Sequence, residues 1–466
     1  MVILGRRLRR RTEQTKSPDT MSAQLGWTTI TNEELKSAQR LWDQRDHGVR
    51  DELGLSAIHF LYADRFFPGT STQMTHLRYV FFVAGAYEQM RQTEDPAALE
   101  VHLPEKERRI AVQLIAEVER TGSSPEGSGI IGWTIVGKPG RRGHPPKLLP
   151  SMSYWTALTN WKLLNDEYGV PTRTAVHSEW ELYARKPRHR GEVNEVRPLF
   201  TEEIETEWKD GLAGGLKHLG KEDRPLKFLL DPWERDLLTA RLKDLVRPND
   251  EKPTLLARLA EAGHDIEKLC GAKWPWSQPI RELVGKDDKE QDALRRSRQA
   301  AFLVQICRAA YDVLVARACA ERDHLPQARV LADKLEAELE TLRRPNGRTF
   351  QEATALDVEA IERDETGSEN ERARTKSVLA RLAPFLIQMQ QWLPNGHRVD
   401  ELQAKFQLRE FAVKQNHLRV RLTEGRDLRR EWFQRRMNRN IFAAPLEYRW
   451  DVVSHWLIPE LVATGK

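Results

Sequence analysis

The amino-acid sequence predicts a mainly α, multi-domain protein: a helical N-terminal domain, a small α+β, winged-helix-like module and a C-terminal helical bundle. Three observations carry that prediction. Apolar residues recur at spacings of three and four along most of the chain, the period of a helix that buries one face. β-branched residues concentrate in one short patch, Ile130 to Val136, too little for a large sheet. A length of 466 residues with 39% hydrophobic residues suits two to four domains with real cores.

Residues 1–20 form a basic tail, with six basic and two acidic residues. No apolar run follows its arginines, as a secretory signal requires. Met21 opens a more ordinary start, so the tail reads as an extension ahead of it, or as a basic arm that touches phosphates. The helical N-terminal domain spans 21–95. Thr31 to Glu34 is a capping box, Thr31 accepting from first-turn amides and Glu34 reaching back. Leu35, Ala38, Leu41 and Trp42 continue the stripe to Gly48. A second helix covers 50–66 and stops at Pro68 and Gly69. Thr70 or Ser71 is placed to cap a third, which runs to about Met90 through Leu77, Val80, Phe81 and Ala84.

The α+β module spans 97–170. A helix from Pro104 to Arg120 puts Ile110, Leu114 and Val118 on one face. The 121–150 stretch is rich in glycine and proline, with the Ile130–Val136 patch as a strand or short hairpin and a basic loop after it. Ser151 then caps a helix that carries Tyr154, Trp155, Leu158 and Trp161. Residues 171–200 read as a linker and 201–345 as a helical domain, in which Asp231, Pro232, Trp233 and Glu234 open one helix. The clearest long helix is 288–322, with Leu303, Ile306, Cys307, Ala310, Tyr311, Leu314, Val315 and Ala318 in phase. Leu331, Leu335, Leu339 and Leu342 make a second stripe that ends before Pro345, and the two form an antiparallel pair. An acidic loop at 346–375 and a basic helical region at 376–466 complete the chain.

Charge narrows the function classes. The 74 basic and 69 acidic residues give +5, and the tail alone holds +4 of it. The pI near 9.0 therefore says little about partners. Local imbalance says more: 352–371 carries −7 and 405–449 carries +7. The plainer reading is a solvated acidic loop and helices with pendant charges that partly neutralise each other. The sharper one is a basic surface screened by an acidic flap. Three cysteines without a CxxC, and no apolar stretch free of charges long enough to span a bilayer, fit a reducing cytoplasm and no membrane.

Several motif-like strings lack the context that their chemistry needs. Gly215 to Lys221 has the spacing of a phosphate-binding loop, but Glu222 stands where a Ser or Thr must hold magnesium. Gly127, Gly129 and Gly132 match the dinucleotide fingerprint but precede the β-branched patch instead of a helix. Glu207 and Lys209 read as a helix start, and Asp51, Glu52 and Asp64 as diverging surface charges. The scattered cysteines and histidines form no zinc pattern. Neither a metal nor a cofactor is expected.

Basic residues mixed with aromatics remain. Lys138, Arg141, Arg142 and Lys147 crowd a loop without acids that leads to Trp155, and Arg429, Arg430, Arg435 and Arg436 are interleaved with Trp432 and Phe433. Lysine and arginine neutralise phosphates, and tryptophan can stack on bases. The plain alternatives are a surface loop in front of core tryptophans, and arginines spent on salt bridges. Thr70, Ser71 and Arg78 form a turn-and-cap set that sets a helix crossing or, less simply, holds a phosphate.

The motifs Leu25 to Trp27, Arg50 to Gly54, Phe67 to Thr72, Leu77 to Phe82, Leu149 to Ser151 with Tyr154 and Trp155, and Leu446 to Trp450 resemble an uncharacterised bacterial family, a domain of unknown function. The resemblance implies no reaction and no catalytic residues. It implies, by association, a place in anti-phage defence islands beside helicase-like and phospholipase-D-like nuclease genes. The leading expectation is a non-enzymatic DNA-binding or scaffold component that works with such a helicase or nuclease partner. The alternatives are a divergent metal-dependent nuclease and a protein–protein adaptor without DNA affinity.

Overall fold

The computed structural model describes residues 51–93, 99–137, 144–169, 171–185, 196–209, 219–221, 226–365, 369–395, 398–437 and 442–462. The basic tail, the Thr31–Glu34 capping box and most of the Gly215–Lys221 loop lie outside these residues. The protein is mainly helical, and among the described residues β pairing is limited to two isolated bridges, Leu164 with Phe200 and Val246 with Pro253. The helices of eleven residues or more are α1 (Ser56–Phe66), α2 (Tyr79–Thr93), α3 (Leu99–Arg120), α4 (Pro150–Asn160), α5 (Arg173–Arg185), α6 (Pro232–Lys243), α7 (Asp288–Glu321), α8 (Pro326–Leu342), α9 (Glu369–Trp392), α10 (Gln403–Lys414) and α11 (Arg426–Met437). All eleven feed one buried apolar cluster that runs from Leu53 to Leu461. Helix α1 touches both α7 and α9, so segments far apart in sequence share that core.

Helix α7 is the axis. Asp287 caps it by accepting from the Glu290 amide at 3.3 Å. It is long and apolar enough to cross a membrane, but 89% of its apolar window is buried inside the protein. The short link from Arg322 to Leu325 reverses the chain, and α8 packs back along it. This is the antiparallel pair that the two leucine stripes predict.

Helix starts depend on polar partners, some of them distant. Asp51 accepts from the Leu55 and Ser56 amides at 2.7 and 3.1 Å, so α1 begins at Ser56, later than the expected 50. Helix α3 starts at Leu99, before Pro104. Ser151 does not cap α4: the buried Glu107 carboxylate of α3 accepts from the Ser151 amide at 2.6 Å. Burial pushes the Glu107 carboxyl up to about 7. Asp231 and Glu234 do form a capping box at α6.

The expected strand at Ile130–Val136 is a turn followed by a short helix, Trp133–Val136. Gly127, Gly129 and Gly132 take φ of 79°, 78° and 84°, which breaks an extended run. The Ile131 amide, which a neighbouring strand would need to satisfy, donates to the Tyr79 hydroxyl at 2.9 Å. Ile130 and Ile131 are buried by packing and not by pairing.

The acidic and basic segments are joined to other partners. Asp364 is buried and takes Arg296 at 2.6 Å and the Tyr62 hydroxyl at 2.9 Å. Glu352 holds Arg298 at 2.9 Å. On the basic side, Glu52 takes both Lys414 and Arg421 at 3.0 Å, Asp323 takes Arg429 at 2.8 Å, and Asp312 takes Arg436. A second buried network ties α1 to α7: Arg65 meets Glu290 at 2.7 Å, and Arg247 meets Asp287 at 2.8 Å. These charges hold helices together, since a buried charge must be paired to be tolerated.

Candidate functional site

Four segments distant in sequence meet around a cleft of about 730 Å³. They are the loop at Thr72–Thr75, the glycine-rich stretch from Gly127 to Ile135, the Pro146–Leu148 segment and the C-terminal Glu447–Trp456 stretch. The Phe67–Thr72 and Leu446–Trp450 motifs, 374 residues apart from Thr72 to Leu446, thus reach one place.

Each wall is fastened to its neighbour. The Thr75 hydroxyl donates to Gly129 O at 2.7 Å, and the Thr75 amide donates to the Tyr154 hydroxyl at 2.9 Å. His76 bridges the glycine stretch and the C-terminal helix: Nε2 sits 2.7 Å from Ser128 O, and Nδ1 contacts Glu460. The His76 ring stacks on Phe228 with centroids 3.5 Å apart. Gly132 packs so tightly on Pro146 that a Cβ would lie 2.4 Å from the proline Cβ.

The C-terminal wall has an unusual backbone. Tyr448 and Arg449 are consecutive non-glycine residues with φ of 53° and 65°, a conformation that costs about 1–2 kcal/mol per residue. Side-chain anchors impose it: the Tyr448 hydroxyl donates to Ser297 O at 2.8 Å, Trp450 Nε1 to Ala272 O at 2.6 Å, and the buried Arg449 Nη1 to the exposed Asp64 at 2.7 Å. Strain held in this way turns Glu447, Arg449 and Asp451 to the cleft.

The described lining is mixed, with Met74, Ile130, Trp133 and Trp456 among the polar groups, and it is balanced in charge. Lys147 and Arg449 face Glu447 and Asp451. Burial and then Arg449 hold the His59 imidazole well below its usual range, so it is neutral. Among the described residues no three His, Cys, Asp or Glu side chains are grouped to hold a metal ion. What the cleft offers is hydroxyls, backbone and charges of both signs beside apolar side chains, a surface for an amphipathic ligand or an extended chain.

The sequence-derived candidates separate sharply. Lys147 lines this cleft and is exposed, whereas Lys138, Arg141 and Arg142 lie outside the described residues. Trp155 is a core residue and not a stacking platform: it is buried, its Nε1 donates to Pro171 O at 2.9 Å, and Tyr87 lies against it. Arg429 is not a phosphate contact, because it is buried in a bidentate pair with Asp323 and bonded to the Arg421 and Thr423 carbonyls. Arg436 is held by Asp312 and Arg435 by Glu431, which leaves Arg430 exposed on the same helix.

The Thr70, Ser71 and Arg78 set is likewise corrected. Helix α2 begins at Tyr79, so neither hydroxyl caps it. Thr70 Oγ1 donates to Phe67 O at 2.7 Å and Ser71 Oγ to Ser153 O at 3.1 Å. Arg78 is buried against Glu234 at 2.9 Å and Asp231 at 2.5 Å, where it locks α2 onto α6. Burial raises the Glu234 carboxyl to about 7. Arg78 thus ties α2 to α6, and the two hydroxyls fasten the loop to Phe67 and Ser153, instead of setting the crossing of α1 and α2.

A second cleft, of about 760 Å³, is lined by Trp274, Trp276, Arg281, Arg298 and Arg348. The string Lys273 to Ser277, with two tryptophans around a proline, was its one local signal. Arg298 and Arg348 join it only through the fold.

Residues 21–165, just under a third of the chain, match a family of unknown function (DUF6361). The match covers the Phe67–Thr72 motif and the glycine-rich wall but ends before the C-terminal wall. No curated protein and no solved structure matches the chain.

Proposed function

We propose that this protein is a non-enzymatic, nucleic-acid-contacting or scaffold component of a bacterial anti-phage defence system, working beside a helicase or a phospholipase-D-like nuclease. The supporting observation is the convergence of two resembling motifs and the basic-loop segment on one cleft, with Lys147 exposed in its lining. Lys138, Arg141 and Arg142 follow in sequence directly from the glycine-rich wall. Phosphate contact from such a loop is salt-sensitive and weakly dependent on sequence. The defence setting and the partners rest on the family resemblance alone.

Fluorescence anisotropy with duplex and single-stranded DNA tests the reading. The chain without residues 1–20 binds at low salt. Replacing Arg141, Arg142 and Lys147 by Glu weakens binding and lowers the slope of log K against log salt by about 2.7, or 0.9 per phosphate. If that chain shifts neither form of DNA at low salt, the DNA reading fails. Retrieval of a helicase or nuclease without DNA affinity makes the protein an adaptor.

A further inference from the structure

We propose that the second cleft, between Trp274, Trp276, Arg281, Arg298 and Arg348, binds a nucleotide unit, with its base against the tryptophans and its phosphate between the guanidinium groups. This goes beyond the basic-loop reading and stands on different residues.

The aromatic part is built and rigid. The Trp274 and Trp276 rings are nearly parallel, 8° apart with centroids at 5.3 Å. Ser277 closes the turn that carries them: its amide donates to Trp274 O at 3.0 Å, and its hydroxyl accepts from the Trp274 amide at 3.1 Å. Trp276 is 3% exposed and lies edge-on to Tyr448 at 5.9 Å, so the core anchors the pair. Trp274 is only half-buried. The volume falls within the roughly 300–1,000 Å³ of small-ligand sites.

The charges select an anion. Arg281 and Arg348 are exposed, and among the described residues neither has a carboxylate partner: Arg281 donates to Gln291 at 3.1 Å, and Arg348 sits 6.0 Å from the Phe302 ring. Glu352 is paired with Arg298, and Glu282, the one carboxylate in the described lining, accepts from Gln278 at 2.8 Å and lies 4.0 Å from Lys268, so three arginines face one acid. Lys273 adds an ammonium 5.4 Å from the Trp274 ring. Trp276 Nε1 and Arg298 Nε are buried without a hydrogen-bond partner in the walls of this cleft. A planar π-face between forked cations matches a base joined to a phosphate, and the same cations repel a cationic ligand.

Such a unit can be a free mononucleotide or one residue of a single strand. Calorimetric titration of the full chain with AMP, UMP, inorganic phosphate, a short single-stranded DNA and its abasic counterpart separates the two. Binding of mononucleotides at least ten-fold tighter than phosphate identifies the free form. Binding of the strand ten-fold tighter than its abasic counterpart, without mononucleotide binding, identifies the strand. In either case Trp274→Ala, Arg281→Glu and Arg348→Glu each weaken binding about ten-fold, the two arginine variants with an unchanged melting midpoint, and Lys147→Glu leaves the mononucleotide arm untouched. The proposal is overturned if neither ligand saturates at millimolar concentration, or if the affinities survive all three cleft substitutions. Strand binding lost in Lys147→Glu but kept in Trp274→Ala supports the basic-loop reading and sinks this one.

Discussion

Arg429→Ala is the sharpest test of whether the arginine-rich C-terminal segment is a binding face or a structural clamp. The Arg429 guanidinium makes two bonds of 2.8 Å to the Asp323 carboxylate and donates to Arg421 O at 2.6 Å and Thr423 O at 2.8 Å. Its side chain is 4% exposed and that of Asp323 is 1% exposed. Removing Arg429 leaves the buried carboxylate with only the exposed Arg426 at 3.9 Å, at a cost toward the low end of about 3–5 kcal/mol. The neighbouring Arg430 is exposed, and its truncation should stay within about 0.5 kcal/mol. Urea unfolding followed by far-ultraviolet circular dichroism measures both, and DNA anisotropy on the same samples measures binding. Asp323→Ala should match Arg429→Ala, and the pair Arg429→Met with Asp323→Leu should recover part of the loss. The reasoning is refuted if Arg429→Ala and Arg430→Ala unfold at the same midpoint, or if Arg429→Ala loses DNA affinity at unchanged stability.

Two further tests probe a buried carboxyl and a wall of the first cleft. Glu107 titrates at about 7 in the folded protein, against 4.5 when free, because burial penalises its charge. Its stabilising contribution is therefore complete below pH 4.5, declines as pH rises toward 7 and is absent above, by up to about 3 kcal/mol. Glu107→Gln should flatten the stability profile between pH 5 and pH 8, and an unchanged profile in urea titrations would exclude this carboxyl as the cause. Gly132→Ala should destabilise by more than the roughly 1–2 kcal/mol of a left-handed alanine, because the new Cβ also meets Pro146 at 2.4 Å. Gly127 has similar φ but open space, so Gly127→Ala serves as the control, and equal melting shifts would contradict the packing argument.

The helical architecture was largely legible. The stripe from Leu303 to Ala318 and the leucines from Leu331 to Leu342 marked α7 and α8, and Asp231 with Glu234 marked the start of α6. The strand at Ile130–Val136 was misread because β-branched composition indicates burial as readily as extension. Tyr79, fifty residues away, satisfies the backbone there. The cap positions at Thr70 and Ser151 failed for a related reason: Thr70 turns to Phe67 O, and Glu107 from another helix takes over at Ser151.

The candidate site was legible only in fragments. Lys147, the glycine stretch and the Leu446–Trp450 motif were each singled out, but nothing local linked the glycines to Glu447 and Arg449. The tryptophan pair at 274 and 276 was visible as letters, while its arginines come from three different helices.

By itself the sequence determined the helical period, the extent of the long helix α7 and the two opposed charge blocks, since these depend on neighbours within a turn or two. Only the tertiary structure decided which charges remain available. Whether an arginine meets solvent or a carboxylate depends on residues 60 to 370 positions away, as with Arg296 and Asp364, Arg429 and Asp323, or Arg421 and Glu52. Coulomb attraction and desolvation act through space, so a count of basic residues along the chain cannot foretell a basic surface.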